Sequence, residues 1–280
     1  FFGFCLTDAG YGLLVAIIGF ILYRGMGKIN RTMHDGGLII IASGVWAIIL
    51  GLVTNGLLGD LWTRILGWGP ALPTVIDSIN AFKYPATILV IAIVIGIIYT
   101  NLGFILGAID NLRYGEKKEA IGSQIVWFVF ELGIILLILG FLFPAMGMIG
   151  MALGAVLIVA ALGMLIWGNG AYGLMDVFGF MGDVLSYARL LALCLATGGI
   201  AMTVNILTNM VNDMIPVVGI VLAIIIFIGG HIANFLFQVL GAGVNALRLN
   251  YVEFFSQFYM GGKHSFEAFK AKRQFTKIKK

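Results

Sequence analysis

The stretch IPVVGIVLAIIIFIGGHIANFLFQVLGAGVNALRLNYVEFFSQF, residues 215–258, decides the fold class of this chain. Nearly all of its side chains are apolar, and only Arg248 and Glu253 carry a charge. A helix needs about 20 predominantly apolar residues to cross the hydrocarbon core of a bilayer. The stretch therefore predicts a membrane-spanning helix that is longer than a perpendicular crossing requires, and such a helix must tilt, kink or project from the bilayer.

Six further stretches are long and apolar enough to span a membrane. They run over residues 1–23, 37–58, 85–109, 120–143, 145–167 and 177–208. The runs are continuous, whereas the strands of a membrane barrel alternate over about ten residues between turns. The sequence therefore predicts an all-α membrane protein, a helical bundle of about seven transmembrane helices, of which the last two are long and tilted.

The composition supports this fold class. Of 280 residues, 61% are hydrophobic and 11% are charged, whereas a soluble domain is a little under half apolar and about a quarter charged. This excludes an ordinary soluble enzyme, a disordered linker and a nucleic-acid binder. Cys5 and Cys194 lie in apolar runs and give neither a disulfide framework nor metal spacing. Without a phosphate-binding glycine loop, a zinc-protease motif or a nucleophile–base pair, the sequence predicts no catalytic residue, metal or cofactor.

The distribution of Lys and Arg predicts the orientation. Of 17 such residues, three lie in loop 24–36, three in loop 110–119 and seven after Gly262, which makes 13 on one side of the membrane. The opposite side holds only Arg64 and Lys83. The positive-inside rule places the richer side in the cytoplasm, in a cell membrane that the chain crosses several times.

The same parity places residue 1 on the outer side. The chain begins with Phe1 rather than Met, so we expect one more span upstream and eight spans in the intact protein. The visible chain then divides into a transmembrane domain over residues 1–262 and a basic cytoplasmic tail over residues 263–280.

Two positive residues do not fit the loops, because Arg189 and Arg248 each lie within an apolar stretch. An arginine at the centre of a bilayer costs about 2.5–3.5 kcal/mol on insertion scales. Such residues usually face the interior of a bundle or a water-filled path. For a single arginine, a structural ion pair or a side chain that reaches the interface is an equal alternative. Two arginines in the last two helices favour a functional role.

The last helix carries a stripe of polar residues along one face. Its members are His231, Asn234, Gln238, Asn245 and Arg248, at helical spacing. Gly241 and Ala242 occupy the turn where the stripe has no polar side chain. Such a stripe is typical of the wall of an aqueous path, and the alternative is a set of hydrogen bonds that hold neighbouring helices together.

Orientation divides the polar residues of the last two helices into two half-paths, with Arg189 and Arg248 between them. The outer half-path holds Thr197, His231, Asn234, Gln238 and Asn245. The cytoplasmic half-path holds Asp176, Asp183, Ser186 and Glu253. A fixed positive charge blocks a simple cation leak and can draw a carboxylate away from its bound ion. A partner would supply that carboxylate, because the one local candidate, Glu131, is better explained by pairing within the bundle.

Three motifs carry a resemblance to a known family. They are FFGF followed by TDAGYG (residues 1–4 and 7–12), SYARLLAL (186–193) and ALRLNYVEFFS (246–256). The chain resembles the membrane domain of subunit a of V-type and A-type rotary ATPases, called subunit I in archaea and bacteria. The motifs cover essentially the whole chain in the expected order.

The resemblance implies an ion-translocating stator subunit with a large cytoplasmic stalk domain before residue 1. Two long helices would face a rotating ring of proteolipid subunits, whose carboxylates carry H⁺ or Na⁺ between the two half-channels past Arg189 and Arg248. The peripheral stalk and a central-stalk adaptor would be further partners. Catalysis would occur on other subunits, so the chain would not itself be an enzyme. A stand-alone ion channel or secondary transporter is the alternative.

Two positions depart from the eukaryotic pattern of this family. Thr197 stands where eukaryotic members have histidine, and Gln238 stands where they have glutamate. Both changes resemble the archaeal and bacterial branch. They leave the choice between H⁺ and Na⁺ open.

Overall fold

The computed structural model describes residues 1–54, 56–64, 84–143, 147–214 and 218–259. The predicted tail over 263–280, and Lys83 on the predicted outer side, lie outside the described residues. The α-helices of four or more residues are α1 (Phe2–Leu6), α2 (Ala9–Arg24), α3 (Arg31–Thr54), α4 (Leu61–Arg64), α5 (Pro85–Tyr114), α6 (Val126–Leu142), α7 (Gly147–Asn169), α8 (Gly173–Ser186), α9 (Ala188–Met214) and α10 (Val218–Arg248). Short π-helical turns precede α6 (Ala120–Ile125) and follow α10 (Leu249–Phe254).

Within the part of the chain that the structure describes, seven helical segments are long and apolar enough to cross a membrane, which confirms the predicted all-α membrane bundle. They are Ala9–Lys28, Arg31–Thr54, Pro85–Tyr114, Lys117–Leu142, Gly147–Gly168, Gly173–Met214 and Val218–Gln257. The last two are the longest, with 42 and 40 residues. Within the described ranges, every regular element is helical.

The first predicted span, 1–23, is interrupted near its start. The helix α1 ends at Thr7, which adopts a left-handed backbone conformation with φ of 39°. Asp8 then caps α2, and its carboxylate accepts hydrogen bonds from the backbone N–H groups of Gly10 and Tyr11. An aspartate that satisfies these free N–H groups favours a helix start at this point, so the crossing helix begins at Ala9.

The predicted span 177–208 is longer than expected and consists of two helices. The helices α8 and α9 meet at Tyr187, where the backbone forms the tighter hydrogen bonds Tyr187 N to Val184 O (3.2 Å) and Leu190 N to Tyr187 O (3.0 Å). This junction lies directly before Arg189. It therefore fixes where the arginine enters the bundle.

The chain passes between two ends of the bundle. We name the end that holds loop 25–30 and the Gly115–Glu116 turn the basic end, and the end that holds Gly56–Arg64 the far end.

The helices α2 and α3 form a close hairpin, because glycines leave no side chain between their backbones. A Cβ atom on Gly44 would lie 2.5 Å from the backbone nitrogen of Ala16.

The main apolar core joins the N-terminal hairpin to the last two long helices. Its buried members are Cys5, Leu6, Tyr11, Val15, Ala47, Ala92, Tyr187, Leu190, Ala201, Ala242 and Leu249. The outer surface is also apolar, with side chains such as Ile39, Val159 and Phe237 largely exposed. A surface of this kind suits lipid, and several polar side chains of α9 and α10, such as Asn205 and His231, are buried in the interior.

Candidate functional site

Arg189 and Arg248 belong to one cluster. The Arg189 guanidinium donates to Ser186 Oγ (3.1 Å) and to Asn245 Oδ1 (3.4 Å). Ser186 Oγ donates in turn to Glu253 Oε1 (2.6 Å), and Arg248 Nε lies 3.8 Å from the same oxygen. We name these five residues the two-arginine cluster. The Glu253 carboxylate is thus linked to both positive charges.

Exposure differs sharply within the two-arginine cluster. Glu253 is 2% exposed, whereas the side chain of Arg248 is 54% exposed and Arg189 is half-buried. A buried carboxylate needs charged or hydrogen-bonding partners. Ser186 and Arg248 supply them at Oε1, whereas the buried Oε2 has no hydrogen-bond partner among the described residues. More than half of the Arg248 side chain is therefore available to a group outside this chain.

A π-helical turn places Glu253 in the two-arginine cluster. In a regular α-helix, residues five apart point about 140° away from each other, at 100° per residue. The chain changes at Leu249 to a π-helical turn that runs to Phe254. Its wider turns bring residue 253 back toward the face of Arg248. Such turns are rare and occur often at functional sites.

The two other predicted acidic residues lie in a separate cleft at the basic end. This cleft has a volume of about 320 Å³, and Asp176 and Asp183 line it together with Ser123, Gln257 and four aromatic or aliphatic side chains. Gln257 Nε2 donates to Asp183 Oδ2 (3.3 Å). The predicted cytoplasmic set is therefore divided: Asp176 and Asp183 face the cleft, and Ser186 and Glu253 lie beside the arginines.

The predicted outer residues Thr197, Asn234 and Gln238 are all buried between α9 and α10. Thr197 Oγ1 contacts Gln238 Oε1 (3.0 Å), and Asn234 Nδ2 donates to the Thr197 carbonyl (3.2 Å). Asn234 Nδ2 also donates to the hydroxyl of Tyr11 on α2 (2.9 Å). The stripe on α10 therefore faces the N-terminal hairpin.

His231 continues the same series toward the far end. Its Nδ1 lies 2.7 Å from Tyr11 Oη, and its Nε2 lies 3.0 Å from Asn205 Oδ1. Asn205 Nδ2 donates to Asp60 Oδ1 and to the Leu58 carbonyl, both at 2.9 Å. We name the series Gln238, Thr197, Asn234, Tyr11, His231, Asn205 and Asp60 the buried polar chain. It links α9 and α10 to α2 and to the far end.

Asn245 was assigned to the outer half-path, but it lies in the two-arginine cluster. Its Nδ2 donates to the Gly241 carbonyl (2.8 Å), and its Oδ1 accepts from Arg189. Between Asn245 and the buried polar chain, the buried residues Leu190 and Ala242 form an apolar layer. The polar groups at mid-bundle therefore form two groups rather than one continuous stripe.

Three residues of the buried polar chain were missed by sequence reasoning: Tyr11, Asn205 and Asp60. Tyr11 belongs to the TDAGYG motif, and Asn205 follows Thr197 by eight residues, which is close to the same face of a helix. The motif and the spacing are weak indications that Tyr11 and Asn205 belong to the site. Asp60 precedes α4 in a short segment whose pairing with α9 no local pattern indicates.

Asp8 connects the start of α2 to the far end. It is 1% exposed, and its Oδ1 accepts from the N–H groups of Gly10 (2.9 Å), Tyr11 (3.1 Å) and Leu58 (3.0 Å). Its Oδ2 accepts from Gly59 N–H (3.0 Å). The segment that carries Asp60 is therefore held in place by Asp8.

Glu131 pairs within the bundle, as the sequence predicted. Asn101 Nδ2 on α5 donates to Glu131 Oε2 on α6 (2.7 Å). Among the described residues, no group of three or more His, Cys, Asp or Glu side chains could hold a metal ion. Glu131 thus lies outside both the two-arginine cluster and the buried polar chain.

The fold and this site define a multi-pass membrane protein whose two longest helices carry polar and charged side chains through the middle of the bundle. No family model matches the chain. It is 59% identical over 280 residues to A-type ATP synthase subunit I of Methanothermobacter thermautotrophicus. The matched region covers 100% of this chain and 41% of that relative. It is 39% identical over 305 residues to the same subunit of Methanocaldococcus jannaschii, over 99% of this chain and 44% of the relative.

A bacterial relative extends the similarity. V-type ATP synthase subunit I of Chlamydia trachomatis is 30% identical over 189 residues, which covers 61% of this chain and 26% of the relative. The chain belongs to the family of subunit I of A-type and V-type ATP synthases, also called subunit a of the rotary ATPases. It spans less than half of the length of these relatives.

Proposed function

We propose that this chain is the ion-translocating membrane part of the stator of a rotary ATPase. The observation that carries the proposal is the two-arginine cluster, in which two guanidinium groups are held at mid-bundle with part of their surface facing outward. A positive charge in this place would meet a negative charge on a partner. The family supports such a partner, because its relatives are subunits of ATP synthases.

The partner is a ring of proteolipid subunits, each with an ion-carrying carboxylate. Ions reach the ring through one half-path and leave through the other. The cleft of Asp176 and Asp183 serves the basic end, and the buried polar chain from Asp60 serves the far end. Arg189 lies between the two and attracts the ring carboxylate, which then releases its ion. It also prevents a cation from passing directly between the half-paths.

The remaining parts of the assembly follow from the same proposal. The basic end and the C-terminus face the cytoplasm, and the protein lies in the cell membrane. A peripheral stalk and a central-stalk adaptor contact regions of the subunit beyond these helices. Nucleotide chemistry takes place on other subunits, so this chain contributes ion transport and no catalytic residue.

Arg189→Ala in the whole complex tests the proposal. We expect loss of ATP-driven ion transport in proteoliposomes, because the ring carboxylate then has no fixed charge to displace its ion. ATP binding by the soluble subunits should survive. Normal coupled transport by the Arg189→Ala complex would contradict the role assigned to this residue.

Copurification separates the stator from a stand-alone channel or transporter. We expect the detergent-solubilised subunit to copurify with small hydrophobic ring subunits. A subunit that purifies alone and still moves ions in liposomes would support the stand-alone alternative.

Transport by the complex with and without Na⁺, at several pH values, identifies the ion.

A further inference from the structure

We infer that Tyr11 and Asn205 are positioning residues that hold His231 neutral, with its proton on Nε2, and that the buried polar chain is therefore a closed gate rather than a proton wire. The inference rests on the proposed function and deepens it. Neither Tyr11 nor Asn205 was part of the outer half-path predicted from the sequence.

The amide of Asn205 fixes the proton on His231. Its Nδ2 faces two oxygens, Asp60 Oδ1 and the Leu58 carbonyl, so it donates to both. Its Oδ1 therefore faces His231 Nε2 as an acceptor, and Nε2 must carry the hydrogen. In a neutral imidazole the other nitrogen is then an acceptor.

Tyr11 completes the arrangement on the other side of the ring. His231 Nδ1 accepts a hydrogen bond, so the Tyr11 hydroxyl at 2.7 Å donates it. The same hydroxyl oxygen accepts from Asn234 Nδ2 (2.9 Å). Every bond from Asn234 to Asp60 thus runs in one direction, with each donor pointing toward the far end.

The amide side chains in the buried polar chain prevent proton hopping along it. A primary amide neither gains nor loses a proton near neutral pH, and the Tyr11–His231 pair lies between the amides of Asn234 and Asn205. A proton cannot pass through either one by exchange of hydrogen bonds. Ions can use this route only after the side chains separate and admit water.

A second proton on His231 would break the arrangement. Nδ1 would become a donor, and the Tyr11 oxygen would then face two donors, from His231 and Asn234, while its own hydrogen lost its acceptor. The charged and titratable groups around the ring are Asp8 and Tyr11 at the start of α2, and Asp60 beyond Asn205. Asp60 is itself paired with Arg64, whose Nε donates to Asp60 Oδ2 (2.6 Å). From α10 itself, the ring of Phe227 packs at a centroid distance of 4.5 Å. A second proton on His231, taken up from the far side, would therefore separate Tyr11 from the ring and open the gate.

The test measures ATP-driven transport by the whole complex as the pH on the far-end side is varied. The wild type should show a titration step, with more transport on the acidic side. Tyr11→Phe keeps the buried ring but removes the hydroxyl that faces Nδ1 of His231. The step should move by about one pH unit, the size expected for one hydrogen bond.

Two further variants complete the series. His231→Gln keeps a neutral side chain that cannot gain a proton, so it should abolish the step and hold transport at the low rate of the closed gate. Thr203→Val is the matched control, since Thr203 is exposed on α9 and its hydroxyl bonds only to the Gly199 carbonyl of its own helix (2.8 Å). Its profile should match the wild type. Asn234 keeps its bond to the Thr197 carbonyl in Tyr11→Phe, which supports folding of that variant.

Three outcomes would overturn the gate. One is a wild-type profile without a step, and another is an unmoved step in both Tyr11→Phe and His231→Gln. The third is transport by an assembled His231→Gln complex as fast as that of the wild type at acidic pH, which would mean that opening does not depend on a proton on His231. The proposed function fails independently, by normal transport in Arg189→Ala, so the two failures are distinguishable.

Discussion

At the residue scale, Asp8 performs two structural tasks with one carboxylate. It caps α2 through Gly10 and Tyr11, and it fixes the far-end segment through Leu58 and Gly59. Four N–H donors satisfy a carboxylate that is otherwise buried in an apolar environment. This explains how a membrane protein retains an aspartate at a helix break.

Asp8→Asn should destabilise the protein by about 1–3 kcal/mol, because the new amide NH₂ would face an N–H donor. Thermal unfolding of the purified complex, read on this subunit, measures the effect. Asp35→Asn is the control, since Asp35 is exposed at the basic end and its replacement should change stability by less than about 0.5 kcal/mol. Equal stability of the two variants would contradict the role of Asp8.

Glu253 and Glu131 differ in their partners, and we expect their replacements to differ in their effect on ion transport. Glu253 contacts Ser186 and Arg248, whereas Glu131 accepts a hydrogen bond from the neutral side chain of Asn101. Glu253→Gln should slow ATP-driven transport several-fold, because Arg248 loses its charged partner. Glu131→Gln should transport like the wild type. If the two variants reversed this order, the two-arginine cluster would not be the centre of transport.

At the scale of elements, the α2–α3 hairpin depends on glycine at particular positions. Gly44→Ala places a methyl group 2.5 Å from the backbone of Ala16, and such overpacking costs about 1–3 kcal/mol. Gly36→Ala lies on the same helix α3, where no atom comes within 4 Å of the new carbon. It should be neutral or slightly stabilising, because alanine favours a helix.

Thermal stability of the complex separates these two variants. The N-terminal hairpin carries Tyr11, so Gly44→Ala should also disturb the buried polar chain and reduce transport. A Gly44→Ala complex as stable as Gly36→Ala would show that the hairpin tolerates separation of its backbones.

At the scale of the whole molecule, the orientation can be measured with added cysteines. Glu116 lies at the basic end and Tyr84 near the far end, both exposed, and the native Cys5 and Cys194 are buried. An impermeant thiol reagent applied to intact cells should label Tyr84→Cys but not Glu116→Cys. Labelling of Glu116→Cys alone would reverse the orientation proposed from the positive charges.

Much of this architecture was predictable because it depends on local composition. Seven apolar stretches are visible in the sequence, and the described residues contain seven helical segments long and apolar enough to span a membrane. Arg189 and Arg248 were found because a charge within an apolar stretch is costly wherever it lies. The helix break at Asp8 shifted the first boundary, since a capping contact outweighs the hydrophobic run around it.

The contacts within the site were not predictable in the same way. Tyr11 and His231 are 220 positions apart, and Asn205 and Asp60 are 145 apart. A tyrosine or asparagine in an apolar helix gives no sign of which distant partner it meets. The π-helical turn after Arg248 also escaped prediction, because regular helical spacing places Glu253 on a different face.

The half-exposed side chain of Arg248 has a consequence for biogenesis. Once the subunit is inserted without its partner, this guanidinium faces lipid or must draw water and headgroups inward, at a cost of some kcal/mol. The solitary subunit is then a strained intermediate that cellular quality control can recognise. Assembly order would follow from this charge: the subunit persists when a negatively charged neighbour is already at hand, and it is degraded when that neighbour is missing.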